Sequence, residues 1–289
     1  MIAGFYQFAP ERGRPEPNAA RMEDALRAAP AGLHLLVCPE LATTGYLYLD
    51  KEELRRVAEP VPSGTTVVRL ARVVRETGRA IIFGIAERAG DKIYNSAVAI
   101  LPSGTVVCYR KAHLFDTETE VFDRPGATPR HARVAEANVG IMVCFDWRFP
   151  EMARLLALEG ADVIAHPSNL VHPYCQDAMV TRSLENRVFT ITSSRTGREK
   201  VGSVSLAFTG RSQIVSPRGE RLVAAGPDEE CVRTAEIDVT LARDKRVTAR
   251  NDLFADRRPE IYGAANVEPG SPEGAAEDEP RRAIREGRA

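Results

Sequence analysis

The chain has no excess of charge of either sign: 39 Lys and Arg stand against 40 Asp and Glu over 289 residues, a formal net charge of −1. That balance gives no basis for nucleic acid or an anionic membrane as a partner. No apolar stretch is long enough to span a bilayer. Residues 1–8 carry neither a basic segment nor a long apolar run, so no signal peptide is expected. The five cysteines (Cys38, Cys108, Cys144, Cys175, Cys231) are odd in number, irregularly spaced and include no C-x-x-C. A disulfide framework and a structural zinc site are thereby disfavoured, and a reduced cytoplasmic protein is expected. No G-x-G-x-x-G follows a strand-like run, which sets aside a dinucleotide enzyme. No metal or cofactor is expected.

What is present is an alternation of strand-like and helix-like runs. Residues 2–8 and 33–38 read as strands flanking a helix that Asn18 can cap and that runs to about Ala29. Ser63-Gly-Thr-Thr opens a second helix, with Val67, Leu70, Ala71 and Val74 at helical spacing and Gly78 near its end. Residues 80–85 read as the next strand, and the alternation recurs after Cys144: helix 150–159, strand 162–166, helix 176–186, strand 189–193. Two segments, 97–107 and 211–223, each read as strand, Pro-x-Gly turn, strand. Two hairpin-bearing α/β halves would pack as two sheets face to face with helices outside. One domain is expected over residues 1–263. Residues 264–289, rich in Glu, Pro, Gly, Ala and Arg, lack the apolar side chains to offset ordering entropy and are expected to be a disordered polar tail.

Three strand ends carry reactive side chains. Cys144 follows the apolar run 139–143, and Pro150-Glu151 opens a helix soon after. A thiol at a sheet mouth beside a helix N-terminus would favour the thiolate and meet backbone N–H groups suited to an oxyanion. Glu40 follows the run 35–37, and Lys111 follows 106–108. Singly, each is an ordinary strand terminus. Together, thiol, carboxylate and ammonium at equivalent ends of three strands make a nucleophile, a base and a stabiliser of negative charge.

Pro39-Glu40, Tyr109-Arg-Lys111-x-His-Leu-Phe115 and Cys144-Phe-Asp-Trp-Arg-Phe-Pro-Glu151 resemble, in order and spacing, the signature blocks of the nitrilase superfamily of carbon–nitrogen hydrolases. Similarity continues through Gly160-Ala-Asp-x-Ile-x-His-Pro-Ser-Asn169 to about Arg258, everything but the tail. The resemblance implies an α/β fold, a four-layer α-β-β-α sandwich of two mixed sheets. It implies that Cys144 attacks a carbonyl carbon, that Glu40 accepts the thiol proton and returns it to the leaving nitrogen, and that Lys111 and the Phe145 backbone N–H hold the oxyanion. Many members carry a second glutamate after the lysine block; counting forward from Lys111 favours Glu118 over Glu120. Asp146 and Trp147 are expected to shape the substrate entrance, and the loop bearing Ser168 and Asn169 to line the pocket. His113 is expected to be a structural hydrogen-bonder.

Within the superfamily, the Cys-aromatic-Asp-x-x-Phe-Pro-Glu pattern resembles the amidase-like branches, which implies hydrolysis of a small linear carboxamide to an acid and ammonia. An N-carbamoyl hydrolase or a nitrilase would use the same site; a carbamoyl enzyme would need an extra grip for a carboxylate, with Arg148, Arg182 and Arg195 as candidates. Two rivals come from other classes. A Cys–His peptidase would need a histidine aimed at Cys144, and a non-catalytic module would have no reason to keep Glu40, Lys111 and Cys144 together. Relatives of this kind imply a homodimer or larger homo-oligomer.

Overall fold

The computed structural model describes residues 1–126 and 129–262. Met1–Lys245 form one compact unit, and Arg246 begins a second. The domain boundary expected at Gly263 and the tail 264–289 lie outside the described residues. Among the described residues no helix is long and apolar enough to cross a membrane.

The first half of the chain builds a six-stranded sheet. Its strands are β1 (Ile2–Gln7), β2 (Leu33–Val37), β3 (Ala80–Ala89), β4 (Lys92–Ile100) and β5 (Val106–Arg110), joined at one edge by β14 (Cys231–Glu236) in the order β14-β1-β2-β3-β4-β5. The second half repeats the plan with β6 (Arg130–Val134), β7 (Ala137–Ile141), β8 (Val163–Ser168), β9 (Phe189–Ser194), β12 (Gln213–Val215) and β13 (Arg221–Ala224), in the order β6-β7-β8-β9-β12-β13. Read in these orders, both sheets run antiparallel, parallel, parallel, antiparallel, antiparallel. The closing hairpins are β4–β5 and β12–β13, the two Pro-x-Gly turns read from the sequence. Between β9 and β12 lies a separate two-stranded ribbon, β10 (Arg198–Val201) with β11 (Val204–Ala207).

The two sheets face each other, β1 packing on β9 and β3 on β8. Helices α1 (Pro15–Ala28) and α3 (Thr65–Thr77), separated in the chain by the short α2 (Lys51–Arg55), pack together over the outer face of the first sheet. Helices α5 (Pro150–Leu158) and α6 (Cys175–Asn186) cover the second, α5 against β7 and α6 against β9 and β12. The result is the four-layer α-β-β-α sandwich. Helix α3 forms where the spacing predicts it. Val67, Leu70, Val73 and Val74 are buried on one stripe, and Gly78 ends the helix in the left-handed region with its N–H on the Val74 carbonyl. A buried leucine such as Leu70 contributes about 2 kcal/mol to holding that helix down.

One local reading is corrected. Asn18 does not cap α1: the helix starts earlier, at Pro15, whose ring suits a first turn. Asn18 lies inside the helix, and its amide bridges two loops, accepting from the Glu11 N–H at 2.8 Å and donating to the Thr43 carbonyl at 2.9 Å.

Gly84 in β3 sets how close the loop after β2 can come. A methyl group there would overlap the Leu41 nitrogen and the Glu40 Cα, while the Gly84 N–H donates to the Pro39 carbonyl at 2.9 Å. Gly104, in the β4–β5 turn, has open space around it but a φ of +86°. Gly84→Ala is therefore expected to destabilise by at least about 3 kcal/mol through backbone collision, and Gly104→Ala by about 1 kcal/mol through conformation alone. Urea unfolding of both variants checks this; equal losses would show that the Glu40 loop is not pressed on β3.

Candidate active site

The ends of four strands meet at one place. Glu40 lies three residues beyond β2, Lys111 directly after β5, Cys144 three residues beyond β7, and Asn169 directly after β8. Helix α4 (Glu118–Val121) delivers Glu118 at its first position. Glu40, Lys111, Glu118 and Cys144 are all buried.

Lys111 is the hub. Its Nζ donates to Glu40 Oε1 at 2.7 Å and to both oxygens of Glu118, at 2.8 and 2.7 Å. Burial works against the ammonium, but the charges of Glu118 and Glu40 more than offset it, and Lys111 stays protonated above its ordinary range. Asn95 Nδ2 supplies a second bond to Glu40 Oε1 at 2.8 Å. Burial raises the Glu40 carboxyl; Lys111 opposes the shift, and the neighbouring Glu118 adds to it. Of the two candidate second glutamates, Glu118 meets Lys111 and Glu120 is exposed.

Cys144 starts a 3-10 turn, Cys144–Arg148, with a φ of +40°, an uncommon conformation for a side-chain-bearing residue. The turn forms because Asp146 reaches back: its carboxylate accepts from the Val143 N–H at 2.9 Å, and its own N–H donates to the Val143 carbonyl at 3.0 Å. This turn separates the thiol from the start of α5 at Pro150, so Cys144 does not sit on a helix N-terminus as the sequence reading expects. Nor is the thiolate favoured at rest. Burial pushes the thiol well above its ordinary range, the Glu40 charge adds to the rise, and Lys111 only partly opposes it. The thiol donates weakly to the Asn169 carbonyl at 3.8 Å. Asn169 Nδ2 donates in turn to the Glu40 backbone carbonyl at 2.9 Å, tying the loop that contacts Cys144 to the one that carries Glu40.

A cavity of about 330 Å3 opens beside Cys144, bordered by Phe115, Phe145, Trp147, Arg148, Asn169 and Tyr174 among others. Phe145, Trp147 and Asn169 border this cavity. Asp146 and Ser168 do not. The Asp146 carboxylate is fully buried and is engaged by Val143, by Tyr109 Oη at 2.8 Å and by His113, whose N–H donates at 3.0 Å and whose ring nitrogen lies at 2.8 Å. Ser168 is buried against His166. Of the three arginines considered for a carboxylate grip, Arg195 is paired with Glu199, and Arg182 holds the Trp147 carbonyl and Glu185. Arg148 borders the cavity, its guanidinium over the Trp147 ring.

Several supporting residues escape the sequence reading. Tyr46 Oη donates to Glu118 Oε1 at 2.7 Å. The Tyr46 loop is held in place by Glu199 of β10, which accepts from the Tyr46 and Leu47 N–H groups at 3.0 and 2.7 Å. Glu199 is paired with the buried Arg195, which lies over the Phe208 ring at 4.2 Å. His166 contacts the Cys144 carbonyl through Nε2 at 2.9 Å and Thr192 Oγ1 through Nδ1 at 3.1 Å. Asn95 carries only the weak signal of a polar residue in a largely apolar strand, and His166 stands in the Gly160–Asn169 block without a role being assigned to it. Among the described residues no group of three or more His, Cys, Asp or Glu is placed to hold a metal ion.

Burial lowers the His166 pKa from 6.5 to about 4, so the ring is neutral and donates its single N–H to Cys144. The folded state therefore binds the proton more weakly than the unfolded chain. The stabilisation is fully present above pH 6.5 and is lost as pH falls toward 4, up to about 3 kcal/mol. His166→Gln, which keeps a donor but cannot titrate, is expected to flatten this part of the stability–pH curve measured by chemical denaturation. An unchanged slope would mean that His166 is not buried neutral.

Comparison with known proteins agrees with the fold. The Carbon-nitrogen hydrolase family matches residues 2–246. A protein named "Nitrilase" from Pyrococcus abyssi is 45% identical over 259 residues, covering 89% of this chain and 97% of its own. An "(R)-stereoselective amidase" from a Pseudomonas species is 32% identical over 272 residues, covering 93% and 96%. The crystal structure of an amidase from Nesterenkonia sp. is 23% identical, superposes with a TM-score of 0.74 over 91% of this chain and 95% of that one, and shares the fold. The chain belongs to the carbon–nitrogen hydrolase family, within the nitrilase superfamily.

Proposed function

We propose that the protein hydrolyses a small linear carboxamide to a carboxylic acid and ammonia through a thioester on Cys144. The observation that carries this reading is the buried Lys111 ammonium shared between Glu40 and Glu118 beside a thiol held neutral by burial. A neutral thiol needs a local base, and Glu40, its carboxyl raised by burial, has the proton affinity for that role. Glu40 takes the thiol proton as Sγ attacks the carbonyl carbon. The electron pair of the C=O bond moves onto oxygen, where Lys111 and the Phe145 N–H stabilise it. The intermediate collapses, the C–N bond breaks, and Glu40 returns the proton so that ammonia leaves rather than amide anion. Water then adds to the thioester with Glu40 as base, releasing the acid and restoring the thiol. Glu118, fixed by Tyr46, positions Lys111.

A second reading, nitrile hydrolysis at the same site, is favoured by the name of the 45% identical relative. The amide reading is favoured by the residue pattern after Cys144 and by the amidase relative. A ureido carbonyl would react by the same steps. The homodimer implied by the resemblance belongs to this proposal too; Leu155, Leu158 and Leu184 expose apolar surface on the outer helices α5 and α6.

Ammonia release from a panel of short amides, nitriles and N-carbamoyl compounds separates the three. Ammonia from amides is expected, with Cys144→Ala lowering the rate at least ~1,000-fold while the protein stays folded, and Glu40→Gln binding substrate but losing chemistry. A near-wild-type rate in Cys144→Ala would sink the mechanism; ammonia from nitriles alone would move the activity. Because Glu40 must be ionised to act and its pKa is raised, the acid limb of kcat/KM is expected above pH 4.5, the ordinary value. A limb at or below that value would exclude Glu40 as the base.

A further inference from the structure

We propose that the acyl group taken by this site is an uncharged hydrocarbon larger than acetyl, and that acyl chains ending in a charge are rejected. The inference rests on the amidase reading above and names the substrate class of that site. When the leaving group is ammonia, only the acyl side of the substrate is left to fill the cavity of about 330 Å3 beside Cys144. A cavity of about 150 Å3 already admits benzene. A short chain, or one ring with its linking carbons, therefore fits.

The border of this cavity is mainly apolar. Phe145 and Trp147 come from the turn that carries the nucleophile, Phe115 from the segment after Lys111, and Leu170, Val171 and Tyr174 from the loop after β8. The ring wall is held by its own contacts. Phe145 packs on Phe115 with centroids 5.1 Å apart and edge-on to Phe149 at 5.5 Å, and Phe149 stacks on His113 at 3.6 Å. The Trp147 carbonyl accepts from Arg182 at 3.2 Å. A wall fixed in this way binds a hydrocarbon without the cost of ordering its own side chains. Among the described residues the border includes no Asp or Glu, and its one permanent charge is the exposed Arg148 guanidinium over the Trp147 ring. Glu40 and Glu118 are bonded to Lys111 and do not border the cavity. An ammonium on the acyl chain would leave water with no carboxylate to receive it, and Arg148 would add like-charge repulsion. A carboxylate would meet Arg148 only in solvent, where such a pair contributes little. A methyl group in the same place gains from burial.

The test measures kcat/KM for propanamide, butanamide, pentanamide and hexanamide, and for two analogues of hexanamide whose terminal methyl is replaced by an ammonium or by a carboxylate. The rate constant is expected to rise about fourfold with each added methylene. The ammonium analogue is expected to fall roughly 100-fold below hexanamide, with the carboxylate analogue between the two. A flat or falling series, or a charged analogue that matches hexanamide, would overturn the inference. Val171→Asp, at a half-buried position on the border, supplies the missing carboxylate and is expected to raise the ammonium-to-hexanamide ratio at least about tenfold. An unchanged ratio would mean that the acyl chain lies elsewhere. Should Val171→Asp fail to fold, Tyr174→Glu, at a border residue that is 59% exposed, is read the same way. Ammonia from nitriles and from none of these amides would defeat the amidase reading and the acyl assignment with it, an outcome distinct from a flat amide series.

Discussion

The site depends on one buried ammonium placed between two buried carboxylates. Removing Lys111, Glu40 and Glu118 from water is expensive for each charge, and their mutual attraction offsets the cost only when every contact is short and the remaining polar atoms are supplied. The three come from the ends of β2 and β5 and the start of α4, so the surrounding chain must hold them closely. Gly84 lets the Glu40 loop lie against β3. Asn95 on β4 holds the same carboxylate from the side, and Tyr46 holds Glu118. Behind Tyr46 stand Glu199 and Arg195, a second buried ion pair whose visible task is to fix that loop.

This arrangement sets where the protons are. Two carboxylates against one ammonium leave one negative charge in excess, and burial raises both the Glu40 carboxyl and the Cys144 thiol. Cys144 is thus kept as a thiol, and in the proposed reaction Glu40 is the neighbouring base that takes its proton. Cysteines activated by a helix N-terminus follow a different logic, with a lowered thiol pKa at rest. Here the 3-10 turn braced by Asp146 and the neutral His166 fixes the backbone around Cys144, and the charge comes from the glutamate.

Most of the fold was legible because it is written twice. The strand–helix alternation and the Pro-x-Gly hairpins recur in both halves, and their pairing patterns match strand for strand. Among the described residues the ribbon β10–β11 has no counterpart in the first half, and no repeat exposed it. The reactive residues were legible because each follows an apolar run at a strand end. Glu118 was separable from Glu120 only by counting, and the structure shows the physical difference: one meets Lys111 and the other faces solvent. The supporting residues were not legible, since Tyr46–Glu118, Glu199–Tyr46 and His166–Cys144 join positions far apart in the chain. Asp146 and Ser168 were misplaced for the opposite reason. Proximity in sequence to Cys144 and Asn169 puts them near the cavity, but their side chains turn inward to satisfy buried backbone and ring nitrogens.

In the proposed reaction Cys144 carries the acyl group, and intact-protein mass spectrometry after rapid mixing with a reactive amide, followed by peptide mapping, detects it. A transient mass gain equal to the acyl group is expected, located on the peptide containing Cys144 and absent from Cys144→Ala. Ammonia release with no adduct on that peptide, or an adduct on another of the five cysteines, would contradict it.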